Sequence, residues 1–259
     1  MRVARLVLSF LLILSSSPRL NSQQPVATPQ RDPQAIAVLW SSIASMGALP
    51  ADSNATGTVT IVEGSSTSSG TIQIQTRGLD QSSEQLQLPS ASRLLIYSKG
   101  EAAETIGTQT QFLQAELAVT SQCPEFPLPL LVAALNNPDE TFQYIGLESQ
   151  NGLAAHHLRY SNSFSSVSKL QFLAEFTTTD LWIDANTARP QRLSYFRRAG
   201  RASEPRTQVD VYFSNYQNVA GIAYPFLIQK SLNGSPWITI TITNVAFNTG
   251  LSDASFSVQ

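Results

Sequence analysis

The chain has 259 residues, of which 42% are hydrophobic and only 13% are charged, and its formal net charge at pH 7 is −2. The hydrophobic fraction is ample for a core and excludes a disordered chain, while the slight negative charge argues against nucleic acid and anionic membrane surfaces as partners. The single cysteine excludes an internal disulfide, which a chain of this length does not need.

The first 22 residues have the three-part layout of a secretory signal peptide. Arg2 and Arg5 precede an apolar run over residues 6–14, and small and polar residues follow it through Ser22. This run is too short to span a bilayer, and no second run of spanning length occurs in the sequence. We therefore expect cleavage near Ser22. An uncleaved anchor is the alternative, because Leu20 is not the small residue expected before the cut.

The rest of the chain is predicted to form one domain over residues 32–259, preceded by a polar linker over residues 23–31. The only cysteine, Cys123, lies far from the cleavage region, so no thiol is available there for a lipid anchor. We expect a monomer without a stable transmembrane span, located in the periplasm or secreted.

The first predicted element of this domain is a helix. Asp32 is suited to cap it, Pro33 suits its first position, and Gly47 ends it. Apolar residues at three- and four-residue spacing predict one buried stripe. The predicted stripe consists of Ile36, Leu39, Trp40, Ile43 and Met46.

Four strands are predicted next, over residues 57–63, 71–77, 84–88 and 93–98. Gly, Ser and Pro clusters separate them, and the GSSTSSG segment over residues 64–70 is predicted to be a flexible hairpin tip. Within the second strand, apolar isoleucines alternate with glutamines, which indicates a sheet with one polar face.

The middle of the chain mixes helical and strand patterns. Residues 110–119 have helical spacing, and the segment PLPLLVAALNNPD is predicted to form an apolar turn or short helix that ends at Asn137-Pro138. These two segments are the candidates for covering the sheet. Strands are then predicted over residues 142–149 and 153–161, across a turn at Asn151-Gly152, and over residues 172–184 and 190–199.

The last fifth of the chain reads as an antiparallel meander. VDVYFSNYQNV, AGIAYPFLIQKSL, SPWITITITNVAF and a closing ASFSV each alternate apolar and polar residues between turn signals. Ser, Thr and Gln are plentiful throughout, as in strands with uncharged polar faces. The predicted fold class is therefore mainly β with some helix.

Four stretches carry a resemblance to a known family: PLPLLVAALNNPDETFQYIGLESQNGLAAHHLRY, DLWIDANTARPQRLSYF, VYFSNYQNVAGIAYPFLIQ and ITNVAFNTGLSDASF. They resemble the LolA/LolB-like superfamily of exported lipid- or lipoprotein-binding proteins, which includes LppX-like and RseB-like members. The chain is more similar to uncharacterised secreted members than to the lipoprotein carriers. The resemblance implies a single strongly curved antiparallel sheet, a half-barrel, with helices covering its concave face around an apolar cavity.

The histidines and the cysteine give no support for catalysis or metal binding. His156 and His157 are neighbours on a predicted strand and therefore face opposite sides of the sheet, so they cannot bind one metal together. Cys123 has no basic neighbour in sequence that would stabilise a thiolate. Because the Gly-x-Ser-x-Gly pattern of a hydrolase is also missing from the sequence, we predict no enzyme activity, no catalytic residue, no metal and no cofactor.

The carboxylates are interpreted as solvated charges. Asp139 and Glu140 lie on a predicted turn, while Asp180 and Asp184 share one face of a predicted strand. The second pair has a spacing consistent with a calcium site, but the further oxygen ligands that calcium needs are not evident in the sequence.

The candidate ligand-binding residues are apolar side chains expected to face the inside of the half-barrel, because pockets of barrel-like sheets are where ligands bind. Each of them taken singly is also a normal core residue. The candidates are Trp40, Ile43, Ile72, Ile74, Leu94, Ile96, Leu131, Trp182, Phe226, Ile228 and Ile240.

Two functional hypotheses follow from these patterns. The first is an exported carrier or sensor that holds a lipid, an acyl chain or another hydrophobic small molecule in an apolar cavity without covalent chemistry. The alternative is an envelope protein with a filled core that acts as a protein-protein interaction or regulatory module. The tyrosines Tyr195, Tyr212 and Tyr216 are the candidates for its binding surface.

Overall fold

The structure is a computed structural model that describes residues 29–150, 152–198 and 206–257. The predicted signal peptide and most of the predicted linker lie outside the described residues. No helix in the described part of the chain is both long enough and apolar enough to cross a membrane.

Thirteen strands of the described residues form one antiparallel sheet. They are β1 (Asp52–Glu63), β2 (Ser66–Arg77), β3 (Gln81–Gln87), β4 (Ser92–Ser98), β5 (Glu101–Ile106), β6 (Gln109–Phe112), β7 (Glu140–Gln150), β8 (Leu153–Asn162), β9 (Thr179–Asp184), β10 (Pro190–Arg198), β11 (Arg206–Val219), β12 (Ile222–Leu232) and β13 (Ser235–Phe247). The helices are α1 (Pro33–Met46), α2 (Ala115–Ala118) and α3 (Pro127–Asn136). Two 3-10 helices span Ser168–Phe176 and Asp253–Phe256.

The strand order is β6-β5-β4-β3-β2-β1-β13-β12-β11-β10-β9-β8-β7. Consecutive strands pair from β1 to β6 and from β7 to β13, and β1 pairs with β13 in the middle of the sheet. As a result β6 and β7, which follow one another in sequence, are the two edges. The sheet is not closed into a barrel, and the predicted fold class is confirmed.

The chain between the two edge strands carries α2 and α3 across the open side of the sheet. The short helix α2 contacts β5 near one edge and β10 towards the other. The helix α3 packs on α1. These helices therefore lie where the sequence predicted a covering segment, over residues 127–136 in the case of α3.

Bulges bend the sheet. The register shifts between Thr56 and Gly57 on β1, and again between Lys230 and Ser231 on β12. A bulge adds a residue to one strand and increases its local twist and bend. Gly57 is required there, because a Cβ atom would lie 2.2 Å from the carbonyl oxygen of Thr241.

The helix α1 forms as predicted, from Pro33 to Met46, with the Asp32 carboxylate accepting a hydrogen bond from the Gln34 amide at 2.8 Å. Its buried face consists of Ala35, Leu39, Ser42, Ile43 and Met46. The prediction for Trp40 is wrong, because its side chain is 56% exposed. Trp40 follows Leu39 by one residue, which turns it about 100° away from the centre of the stripe.

The core lies between α1, α3 and the concave face of the sheet. It contains, among others, Leu39, Met46, Ile74, Leu86, Leu128, Leu131, Phe142, Leu158, Leu181, Tyr224 and Ile228. A separate small cluster of Tyr97, Ala102 and Ala118 packs under α2 near the β4–β5 edge.

Two predictions, one of a loop and one of a helix, are corrected by backbone pairing. Only Gly64 and Ser65 form the first hairpin turn, since Ser66 already pairs with Glu63 and the polar residues after it extend β2. The predicted helix over residues 110–119 is replaced by the edge strand β6 and the one-turn helix α2. In both segments, backbone hydrogen bonding to a neighbouring strand outweighs the local preference of the sequence for a loop or a helix.

Two predicted strands are partly or wholly 3-10 helix. Residues 168–176 form a 3-10 helix over the sheet before β9 begins at Thr179. This helix buries Leu173 and Phe176, which are three residues apart. The 3-10 helix Asp253–Phe256 overlaps the first three residues of the closing ASFSV run and buries Phe256. Side chains at i and i+3 lie above one another in a 3-10 helix but on opposite faces of a strand, so only the 3-10 helix buries Leu173 and Phe176 on the same side.

Candidate ligand-binding cavity

A cavity of about 360 Å³ lies between the concave face of the sheet and the helices that cross its open side. Its apolar lining comes from α2, α3, the first 3-10 helix and β10, and comprises Val119, Leu130, Ala133, Ala134, Leu170, Leu173, Phe176 and Leu193. At one end it reaches Tyr97 and Gly100 of the β4–β5 hairpin. The cavity therefore spans both arms of the curved sheet.

The helix α3 has two apolar faces, and only one of them lines the cavity. Leu128, Leu131 and Leu135 are buried in the main core. Leu130 and Ala133 line the cavity, and Ala134 belongs both to the core and to the lining. Leu128, Leu131 and Leu135 have the three- and four-residue spacing of one helix face, and Leu130 is turned about 100° from Leu131. The predicted site residue Leu131 thus lies on the core face.

The floor of the cavity is a band of side chains that crosses four neighbouring strands. Glu140 of β7 is paired with Asn162 of β8. Tyr160 of β8 is paired with Thr179 of β9, and Thr179 is paired with Tyr195 of β10. Directly paired residues of antiparallel strands point to the same face. The polar members of the band, together with Asn137 at the end of α3, make one end of the cavity polar.

Glu140 carries the clearest electrostatic perturbation in the cavity. Glu140 is only 5% exposed to solvent. Burial raises the pKa of Glu140 to about 8, and the neighbouring Asp139 charge adds to this effect while Arg31 opposes it. Burial also raises the pKa of Tyr160, and the Glu140 charge adds to that shift. The carboxyl of Glu140 is therefore mostly protonated at pH 7 and able to donate a hydrogen bond.

Asp139, next in sequence, holds the segment that follows β8. Its carboxylate accepts hydrogen bonds from the Ser165 and Ser166 hydroxyls and from the Ser166 amide. These bonds lower the pKa of Asp139. Asp139 and Glu140 are both buried, so their interpretation as solvated charges is wrong.

A second, smaller cavity of about 40 Å³ lies beside the first and shares Tyr195 with it. Here the Lys230 ammonium of β12 contacts the carboxylate of Glu125 and lies 3.4 Å from that of Glu84. Burial alone would lower the pKa of Lys230, but the two carboxylates outweigh it and raise the pKa. Lys230 thus provides the counter-charge in this otherwise buried acidic cluster.

Cys123 belongs to the same cluster. Its thiol donates a hydrogen bond to Glu125 at 2.7 Å. Burial, followed by the charges of Glu125 and Glu84, raises the pKa of this thiol well above its ordinary value. The thiolate needed for nucleophilic attack is therefore disfavoured. Although Glu84, Cys123 and Glu125 have ligand atoms within 4.8 Å of one another, the Lys230 ammonium already occupies the position of a cation among them.

None of the predicted ligand-binding residues is among those that line the larger cavity. Seven of them are part of the main core: Ile43, Ile72, Ile74, Leu131, Phe226, Ile228 and Ile240. Leu94 and Ile96 are partly buried and alternate along β4 with Tyr97, which does line the cavity. Trp40 is exposed, and Trp182 lies on the face of β9 opposite to the core residues Leu181 and Ile183.

The histidines are also remote from the cavity. His157 stacks on Trp182 with ring centroids 4.3 Å apart, and its two ring nitrogens contact Glu148 and Asp180, each at 2.8 Å. His156 is hydrogen-bonded to the Tyr144 hydroxyl at 2.9 Å. Each histidine thus has its own set of partners, as expected for neighbours on opposite faces of a strand.

The tyrosines proposed for an interaction surface are partly buried, and two of them have local contacts. The Tyr216 hydroxyl donates to the Pro190 carbonyl at 2.9 Å. The Arg192 guanidinium lies over the Tyr212 ring at 5.5 Å. Tyr195 lies at the boundary of the two cavities.

The sequence contains weak signals for the residues that line the larger cavity. The NNPDE segment at the end of α3 was interpreted as an exposed turn, although Glu140 is the first residue of β7 and lies only four residues after the end of an apolar helix. The three-residue spacing of Leu170, Leu173 and Phe176 fits a 3-10 helix, whereas a strand would turn Leu173 to the face opposite the other two. What no local pattern shows is that these two segments meet over β8 and β9.

No protein-family model matches the sequence, and no curated protein sequence is significantly similar to it. Solved structures are similar to it. A domain described as an outer membrane lipoprotein-sorting protein from Vibrio parahaemolyticus has a TM-score of 0.59 at 13% identity, covering 86% of this chain and 96% of that one.

Two further structures match over a similar length. A DUF1329 family protein from Desulfovibrio piger has a TM-score of 0.57 at 12% identity, with 87% of this chain and 98% of that chain covered. A LolA superfamily protein from Nitrosomonas europaea has a TM-score of 0.57 at 15% identity, with 86% and 97% covered. The described chain therefore has a LolA-like fold, which confirms the resemblance predicted from the sequence.

Proposed function

We propose that this protein is an exported binding protein that holds a lipid, an acylated molecule or another hydrophobic ligand in the cavity under α2, α3 and the first 3-10 helix. It acts as a carrier or sensor, and binding requires no covalent chemistry. The observation that carries the proposal is the cavity itself, which the helices cover without filling. The similarity in fold to a protein described as lipoprotein-sorting supports the same class of function.

The size of the cavity favours one small ligand. A dry apolar cavity of roughly 150 Å³ is known to bind benzene, and ligand pockets usually begin at roughly 300 Å³. The cavity of about 360 Å³ is thus large enough for a single chain or a compact ring system. Burial of apolar ligand surface contributes about 25 cal/mol per Å² before the costs of association.

The location of the protein is part of the proposal. The N-terminal pattern of Arg2, Arg5 and the apolar run supports export. The proposal takes residues 32–259 as one domain and the protein as a monomer in the periplasm or outside the cell. The alternative, an interaction module with a filled core, has less support, because the space between α3 and the sheet is open.

The test is displacement of an uncharged fluorescent probe, N-phenyl-1-naphthylamine, from the purified protein. Ala133→Trp places an indole in the cavity, because Ala133 lines it from α3. We expect this variant to bind the probe at least about tenfold more weakly than the wild type, since the indole occupies space that the probe would otherwise fill. Ala37→Trp, on the exposed side of α1, is the matched control and leaves binding unchanged.

Two results would count against the proposal. One is a wild-type protein that does not bind the probe at all. The other is equal binding by wild type and Ala133→Trp, when urea titrations show that the variant is folded.

A further inference from the structure

We propose that the ligand is a single-chain amphiphile whose head group is an uncharged or cationic hydrogen-bond donor, such as an alcohol, amide or amine, and that anionic chains such as free fatty acids are selected against. This inference rests on the proposed binding function and concerns the same cavity. It follows from the kind of groups found at the polar end and from the charges that the lining lacks.

Polar groups line both ends of the cavity, but at the β4–β5 end the Gln122 amide donates to the Tyr97 hydroxyl at 3.0 Å, so these two groups already pair with each other. The other end is formed by Glu140 and its neighbours. Glu140 and Asn162 are cross-strand neighbours, and Tyr160 lies diagonally next to Glu140 on the same face. Thr179 is paired with Tyr160. The apolar walls of α3 and the first 3-10 helix extend away from this end. A ligand with one apolar chain and one polar head therefore fits with its head at Glu140.

The residues that line the cavity in the described part of the chain include no lysine, arginine or histidine. Arg31, which interacts electrostatically with Glu140, has other partners: its guanidinium donates to the carbonyls of Asn137 and Leu135 at 2.8 and 2.7 Å and lies over the Phe142 ring. Lys230 is paired with the carboxylates of the smaller cavity. An anionic head would thus find only neutral donors among these lining residues, and neutral donors compensate the burial of a charge less well than a counter-ion does.

Glu140 suits a donor in either of its protonation states. Ionised, it pairs with a cationic head or accepts from a hydroxyl or amide group. Protonated, its second oxygen still accepts a hydrogen bond. Because the pKa of Glu140 is raised to about 8, the affinity for an alkylammonium ion is expected to increase as the pH rises from 7 to 9, while the affinity for an alcohol changes little.

The experiment compares decylamine, 1-decanol and decanoate, which share one chain length, as competitors of N-phenyl-1-naphthylamine at pH 7. We expect decylamine and decanol each to displace the probe at concentrations about tenfold or more below that of decanoate, because only decanoate buries an unpaired anion. Decylamine is expected to become more effective at pH 9.

The source of the selectivity is tested with Glu140→Gln, which keeps the size of the side chain and removes its charge. The pH-dependent advantage of decylamine disappears in this variant, whereas binding of the probe and of decanol is retained. Glu101→Gln, at an exposed position of β5, is the matched control and leaves the ranking unchanged.

The outcomes separate this inference from the proposed function. If the probe binds but decanoate competes as well as decylamine and decanol do, the inference is overturned and the binding function stands. A pH-dependent advantage of decylamine that persists in Glu140→Gln overturns the role given to Glu140. If neither the probe nor any of the three compounds binds, both proposals fail.

Discussion

Glu140 is a charged residue that the fold removes from water. It begins β7 directly after α3 and is covered by Tyr160, Asn162 and the helices above them. Burial of a carboxyl group disfavours its ionised form, which is why its pKa is raised to about 8. Lys230, by contrast, is buried but keeps its charge, because two carboxylates surround it.

The raised pKa of Glu140 predicts a pH dependence of stability. Between its ordinary pKa of 4.5 and its folded-state pKa of about 8, the unfolded chain releases this proton while the folded chain retains it. Within that window, raising the pH destabilises the wild type relative to Glu140→Gln, by roughly 1.4 kcal/mol per pH unit at most. Below the window the two proteins show no pH-dependent difference.

Urea titrations of both proteins between pH 4 and pH 9 measure this difference in the free energy of unfolding. Comparison with the Gln variant cancels the contributions of all other titrating groups. Parallel pH profiles of the two proteins would show that Glu140 is not buried in a protonated form.

At the scale of elements, the short apolar helix α3 both packs in the core and lines the cavity. Leu131 is fully buried in the core, whereas Leu130, its neighbour in sequence, faces the cavity and is only partly buried. The same residue type, one position apart, therefore has a different role. Burial against a packed core stabilises the fold, while burial against open space leaves room for a ligand.

The two leucines give a matched pair of variants. Leu131→Ala is expected to reduce the free energy of unfolding by about 2–5 kcal/mol, because it leaves a hole in a packed core. Leu130→Ala is expected to cost clearly less and to change binding of N-phenyl-1-naphthylamine, since it enlarges the cavity. Urea titration and probe fluorescence measure both effects. Equal losses of stability would contradict the assignment of the two faces of α3.

Elements with a long, regular pattern could be predicted from the sequence. The cap at Asp32, Pro33 and the apolar spacing defined α1, and alternation defined the strands from β7 to β13 except where the first 3-10 helix intervenes. The short elements around the cavity could not be predicted, because α2 and the 3-10 helix are fixed by the surfaces on which they pack. Glu140 was missed because burial of a turn-like segment depends on contacts between residues far apart in sequence.

At the scale of the whole molecule, strand order decides where a ligand can lie. Pairing of β1 with β13 joins the two arms of the sheet, and β6 and β7 are its edge strands, with the α2–α3 segment between them. The open side of the sheet is thus covered by short helices, which leave a cavity of about 360 Å³ instead of a filled core. The central claim is that this space holds a hydrophobic ligand.

Native mass spectrometry tests that claim most directly, on wild type and Ala133→Trp purified in parallel from a lysate that contains membranes. The account predicts that wild type carries one small amphiphile per chain, or takes up one decylamine when offered it, and that Ala133→Trp does neither. A wild-type protein that shows only its bare mass under both conditions would contradict the account.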